Sequence, residues 1–101
     1  MIKRKHKPVD IEAIERRNAF FEEIWNERPH RCEVTKASLG KIPNSTYFHH
    51  ILPKNKYPSF EFEKDNIIIL HPNIHASVEM DMYKYPEINE LRNKLKEKYQ
   101  I

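Results

Sequence analysis

YFHHILPKNKYPSFEFEKDNIIILHPNIHASVE, residues 47–79, is the stretch from which the fold of this chain can be read. It opens on aromatic and β-branched residues that suit a short strand, expected over Thr46–Ile51. Leu52 and Pro53 end that strand, and residues 54–65 make a polar loop long enough to suggest a function of its own. Ile67, Ile68, Ile69 and Leu70 form an unbroken apolar run, the pattern of a strand covered on both faces. Pro72 suits the first turn of a helix, expected to reach about Tyr83. The same stretch holds four of the six histidines, His49, His50, His71 and His75, together with Asn66 at the start of the second strand.

Outward from this unit the signals are helical. Between Asp10 and Arg28, Ile11, Ile14, Phe21, Ile24 and Trp25 recur at three- and four-residue steps among charged residues, with Asp10 as N-cap and Pro29 as the stop. That stripe is read as core, with Trp25 anchoring the helix on the central unit. Arg31–Thr35 suits a short strand, followed by a turn around Leu39, Gly40 and Pro43. Pro86 opens a last helix whose Ile88, Leu91, Leu95 and Tyr99 form one stripe, to cover the central unit or to build a dimer. The fold class expected is α+β, with residues 1–9 as a flexible basic arm, residues 10–101 as one domain, and its core at about 46–83.

With 101 residues, 39% hydrophobic, the chain can bury one modest core, so wholesale disorder is not expected. A net charge of +3 is compatible with a polyanionic partner without identifying one. Lys3, Arg4 and Lys5 in the arm either touch phosphate or form a solvated tail; Lys54 and Lys56 in the loop are candidates for backbone phosphate contacts. The single cysteine, Cys32, forms no internal disulfide and fits a reducing compartment. No stretch reads as a signal segment or membrane span.

Paired histidines, an asparagine leading the second strand and a histidine in the next helix resemble the HNH nucleases, the ββα-metal superfamily. The resemblance covers about a third of the chain. It implies an α+β fold built on a ββα-metal unit, with the first and last helices packed against it. It also implies an endonuclease hydrolysing DNA phosphodiesters with one divalent ion. Carried over by position, His49 and His75 are metal ligands, His50 is the general base and Asn66, placed with the catalytic residues, holds the long loop to the strand ends. Glu79, four residues beyond His75 and on the same helix face, is a further ligand candidate; its carboxylate favours Mg²⁺ or Mn²⁺ over Zn²⁺ or Ni²⁺.

Where many HNH proteins carry two cysteine pairs around a structural zinc, this chain has Cys32 followed by Glu33, Val34 and Thr35, and His71 and Ile74 at the second pair. A four-cysteine zinc site is therefore excluded. Cys32, His71 and His75 form at most an incomplete set, and His71 is expected instead to cap or pack the helix. One feature opposes the assignment: neighbours on a strand point to opposite faces, which separates His49 from His50 unless the strand end bends.

Within the superfamily the segment FHHILPK…YP…NIIILHPNIHASVE looks most like the phage NinG-type recombination proteins. That implies branched or ordinary duplex DNA as substrate and the cytoplasm of a bacterial or phage-infected cell. A homodimer would serve a double-strand cut. The other reading is a non-catalytic nucleic-acid-binding or assembly module that keeps the fold. Its support is the basic arm, the missing zinc knuckle and the aromatic residues Tyr47, Phe48, Tyr57, Phe60 and Phe62. A nuclease toxin domain ranks last.

Overall fold

The computed structural model describes residues 10–101 as an α+β protein of three α-helices and one two-stranded antiparallel sheet; the arm at residues 1–9 lies outside the described residues. Helix α1 spans Ile11–Glu27. The Asp10 side chain accepts from the Ala13 N–H at 3.0 Å, and the helix closes at Arg28, whose extended backbone leads into Pro29. Strand β1 is Phe48–His50 and β2 is Ile67–Ile69, paired as Phe48 with Ile69, His49 with Ile68 and His50 with Ile67. Helix α2 runs Pro72–Met80 and α3 Pro86–Tyr99.

The hairpin is the middle layer. Ile67 and Ile69 pack with Phe20, Phe21, Ile24 and Trp25 of α1, whereas Ile68 packs with Val78 of α2 and with Ile88 and Leu95 of α3. All three β2 residues are buried, which is why that run carries no polar alternation. Trp25 stacks on Tyr47 and meets Phe48 edge-on, fixing α1 to the start of β1. On α3, Tyr99 stacks on Phe60 at 4.2 Å between ring centroids, whereas Leu91 of the expected stripe stays 37% exposed.

Three segments depart from expectation. The first strand is shorter than Thr46–Ile51, because residues 45–47 form a turn of 3₁₀-helix capped by the Asn44 side chain. Only the backbone bonds from Leu70 N–H to Tyr47 O and from Ile51 N–H to Asn66 O prolong the ladder. Where a strand was expected over Arg31–Thr35, Arg31 alone forms an isolated antiparallel bridge, with Ser38, and residues 33–35 are a turn. Its Glu33 nonetheless covers the free edge of β2: the backbone N–H donates to Ile69 O at 2.8 Å and the carboxylate accepts from Ile69 N–H at 2.7 Å. Helix α2 stops at Met80, short of Tyr83, because the Asp81 carboxylate turns back to accept from Tyr83 N–H at 3.0 Å.

The residue 51–66 connection is likewise ordered, with 3₁₀ turns at Pro58–Phe60 and Lys64–Asn66. Its aromatic residues serve packing: Phe62 meets Phe20 edge-on and Phe60 lies on Tyr99. With Phe48 buried and Tyr47 and Tyr57 packed against the two clusters, all five proposed base-stacking aromatics are part of the interior contacts.

Candidate metal centre

His49 faces the same side of the hairpin as its partner Ile68, the side covered by α2 and α3. Its ring therefore meets His75 of α2, with centroids 5.0 Å apart. One turn further along α2, Glu79 places Oε1 3.1 Å from His75 Nε2 and 4.0 Å from His49 Nδ1. Ligand atoms of His49, His75 and Glu79 all lie within 4.8 Å of one another, and this is the one such group of three or more donors among the described residues.

The protonation pattern at His75 suits a cation. A backbone carbonyl can only accept, so the contact between His75 Nδ1 and Thr46 O requires Nδ1 to carry the proton. In the neutral ring, Nε2 then turns a lone pair toward the Glu79 carboxylate. Two acceptors facing each other at 3.1 Å repel unless a proton or a metal cation stands between them. His49 is prepared for the same role. Burial, then the neighbouring His75, His50 and Arg92, lower its pKa from 6.5 to about 4, so its ring is neutral at physiological pH. Two imidazoles and one carboxylate suit a borderline divalent ion as well as a hard one.

His50 obeys strand alternation and turns to the other face, its ring 6.3 Å from that of Phe21 on α1. As the last residue of β1 it still borders the cleft that receives His49, His75 and Glu79, a depression of about 680 Å³ that wraps around the strand end. His50 Nε2 lies 3.0 Å from the Glu61 carbonyl and so must donate, leaving Nδ1 as the basic nitrogen of the neutral ring. Burial lowers its pKa, against the Glu61 carbonyl hydrogen bond, which raises it.

Asn66 is fully buried and touches only backbone: it accepts from Leu52 N–H at 2.7 Å and donates to Leu52 O at 3.0 Å and Phe60 O at 3.1 Å. These bonds join the loop to the end of β1, the tie expected of Asn66. Leu52 lies just beyond His50, and Phe60 precedes the Glu61 whose carbonyl holds the His50 ring, so one amide ties together both supports of that histidine. Direct metal contact by Asn66 is incompatible with this burial.

Other candidates separate. Lys54 borders the cleft; Lys56 does not, and lies over the Tyr57 ring. Lys3, Arg4 and Lys5 lie outside the described residues. His71 caps α2, its Nδ1 accepting from Asn73 N–H at 3.2 Å, which occupies one of the first-turn N–H groups. Cys32 is buried and outside the donor group. Burial pushes its thiol pKa up, but hydrogen bonds from the backbone of His71 and from Thr35 and Val34 outweigh that and leave it below the ordinary value.

Arg17 of α1 and Arg92 of α3 also border the cleft and were not singled out in the sequence. The signal was available: Arg92 continues the Ile88, Leu95, Tyr99 face, and Arg17 the Ile14, Phe21, Ile24 face, each a charge set in an apolar stripe.

The depressed His49 pKa predicts a pH dependence for the metal-free protein. Between about 4 and 6.5 the unfolded chain binds a proton that folded His49 refuses, so stability falls on acidification through that window. From about pH 7 to about pH 5 the expected loss is about 2 kcal/mol, read as a lower urea midpoint in EDTA. His50 contributes in the same direction. A midpoint that stays constant would mean that folded His49 takes up its proton as readily as the unfolded chain does.

No helix among the described residues is long and apolar enough to cross a membrane. No protein-family model, curated protein or solved structure matches this chain.

Proposed function

We propose that this chain is a metal-dependent endonuclease of the HNH, ββα-metal kind, hydrolysing phosphodiester bonds of DNA. The observation that carries this reading is His50 on the rim of the cleft, its Nε2 committed to the Glu61 carbonyl and its Nδ1 left basic, beside the His49, His75 and Glu79 donors. The hairpin followed by α2 is compatible with a ββα unit.

In the proposed reaction His50 Nδ1 accepts a proton from water as the water oxygen bonds to phosphorus and the P–O bond to the leaving sugar oxygen breaks. The Glu61 carbonyl stabilises the imidazolium that results, because it accepts from Nε2–H in both states. Asn66 keeps that carbonyl in place. A divalent ion held by His49, His75 and Glu79 would supply charge neutralisation on the phosphorane and its leaving oxygen.

The test is nicking of supercoiled plasmid by wild-type protein in Mg²⁺, Mn²⁺ and EDTA, repeated with branched DNA. Cleavage with either ion and none in EDTA is expected. Tight, salt-sensitive DNA binding without turnover under any divalent ion would instead establish the binding module. A second measurement addresses the ligands. Changes to groups outside the ligand shell typically cost 10–100-fold in metal affinity, so His75→Ala should weaken Mn²⁺ or Zn²⁺ binding by calorimetry by at least about 100-fold. Unchanged titration would remove His75 from the site.

A further inference from the structure

Arg92 is 4% exposed, yet no carboxylate pairs with it among the described residues. One terminal nitrogen donates to Asn89 Oδ1 at 2.7 Å and the other to Met82 O at 2.8 Å, and the guanidinium lies 5.2 Å from the centre of the Tyr83 ring. A guanidinium offers about five N–H donors, so most of them remain, and the buried Nε has no partner. Burying such a cation without a counter-charge costs several kcal/mol, which the task of holding one carbonyl and one amide does not require. Arg17, on a different helix, is half-buried: its Nε is buried and unpartnered, and among the described residues its side chain makes one hydrogen bond, from a terminal nitrogen to Asn18 Oδ1 at 3.3 Å.

Both arginines border the cleft that holds His49, His75 and Glu79, and Lys54 joins them. Among the described residues Glu79 is the sole carboxylate on that lining, and it faces the histidines. The cleft thus presents three cations, two of them planar forks with unused donors, in a partly desolvated setting suited to phosphate oxygens.

We propose that Arg92 and Arg17 are the phosphate-binding residues of this site, Arg92 gripping the phosphodiester beside His49 and Arg17 a neighbouring phosphate of the same nucleic acid. This rests on the nuclease reading for the identity of the anion, and it adds residues from α1 and α3 that lie outside the histidine unit. Unbound, the two guanidiniums are held short of partners; bound phosphate supplies them.

The experiment is fluorescence anisotropy of a labelled DNA duplex in EDTA over a salt series, with wild type, Arg17→Ala and Arg92→Lys, alongside Tm and the kcat and KM of each in Mn²⁺. Each phosphate contact contributes about 0.9 to the slope of log affinity against log salt, so Arg17→Ala should lower that slope by about one and weaken binding about fivefold at about 0.15 M salt. Arg92→Lys keeps the charge and loses the fork, so the slope should hold while kcat falls about tenfold or more at unchanged Tm. Folded variants with wild-type affinity, slope and kcat would overturn the proposal while leaving the nuclease reading intact. Should Arg92→Lys fail to fold, Arg17→Ala decides by its slope. A wild type that binds duplex with these dependences on Arg17 and Arg92 but cuts nothing would sustain the phosphate site and remove the nuclease. A wild type that binds no duplex would overturn the proposal, with the plasmid assay reporting separately on cleavage.

Discussion

Replacing His50 with alanine is expected to lower cleavage by about 10²–10⁴-fold, the usual contribution of a positioned general base. The effect should fall on kcat, because His50 lies outside the His49, His75 and Glu79 donor group and its removal leaves metal affinity in place. Some stability is lost as well: the Glu61 carbonyl loses its partner and Phe21 loses a neighbour, together about 1–2 kcal/mol. His50→Gln separates the two effects. Its Nε2 amide stands where the imidazole Nε2–H was and can still donate to the Glu61 carbonyl, so the fold recovers, but it has no basic nitrogen, so cleavage stays low. Plasmid nicking by both variants next to the wild type, with Mn²⁺ calorimetry as control, makes the comparison. Full activity in either variant would remove His50 from the reaction.

Asn66→Ala should be the most destabilising single change in the loop. It strips partners from the Leu52 N–H, the Leu52 carbonyl and the Phe60 carbonyl at a site with no exposure. At about 1–3 kcal/mol for each buried group left unpaired, the expected loss is roughly 3–5 kcal/mol. A domain of this size has only about 5–15 kcal/mol in total. Asn66→Asp should be nearly as severe, since a carboxylate keeps the acceptor for Leu52 N–H but sets an unpaired charge against two carbonyls. Urea midpoints measure the loss. If enough folded protein remains, kcat should fall with little change in metal affinity, because the His50 support moves and the metal donors do not. A midpoint near the wild-type value would mean the loop is held by its packing alone.

Much of this architecture is legible in the residues. The three- and four-residue apolar steps of α1 and the start of α3 at Pro86 follow from helical periodicity and from proline's missing N–H. The unbroken isoleucines of β2 follow from having helices on both faces. Of the three candidate metal donors, Glu79 follows from its i,i+4 spacing to His75, whereas His49 and His75 are what the HNH resemblance implies. Element ends were read less well, because a side chain there offers the backbone a competing bond: Asn44 caps the 3₁₀ turn that shortens β1, and Asp81 bonds the chain just beyond α2.

Two features of the site belong to the tertiary structure alone. The nitrogens that His50 and His75 present are chosen by the carbonyls of Glu61 and Thr46, backbone groups that every residue carries and that no residue type announces. The placing of Arg17 and Arg92 in one cleft depends on α1 and α3 packing against a common hairpin, although those residues are 75 positions apart in the chain (92 − 17 = 75). Local pattern determines which face of each element is apolar and which side chains can bind metal. Which nitrogen is basic, and which charges meet, is decided only when distant elements bring backbone acceptors and side chains within hydrogen-bond range.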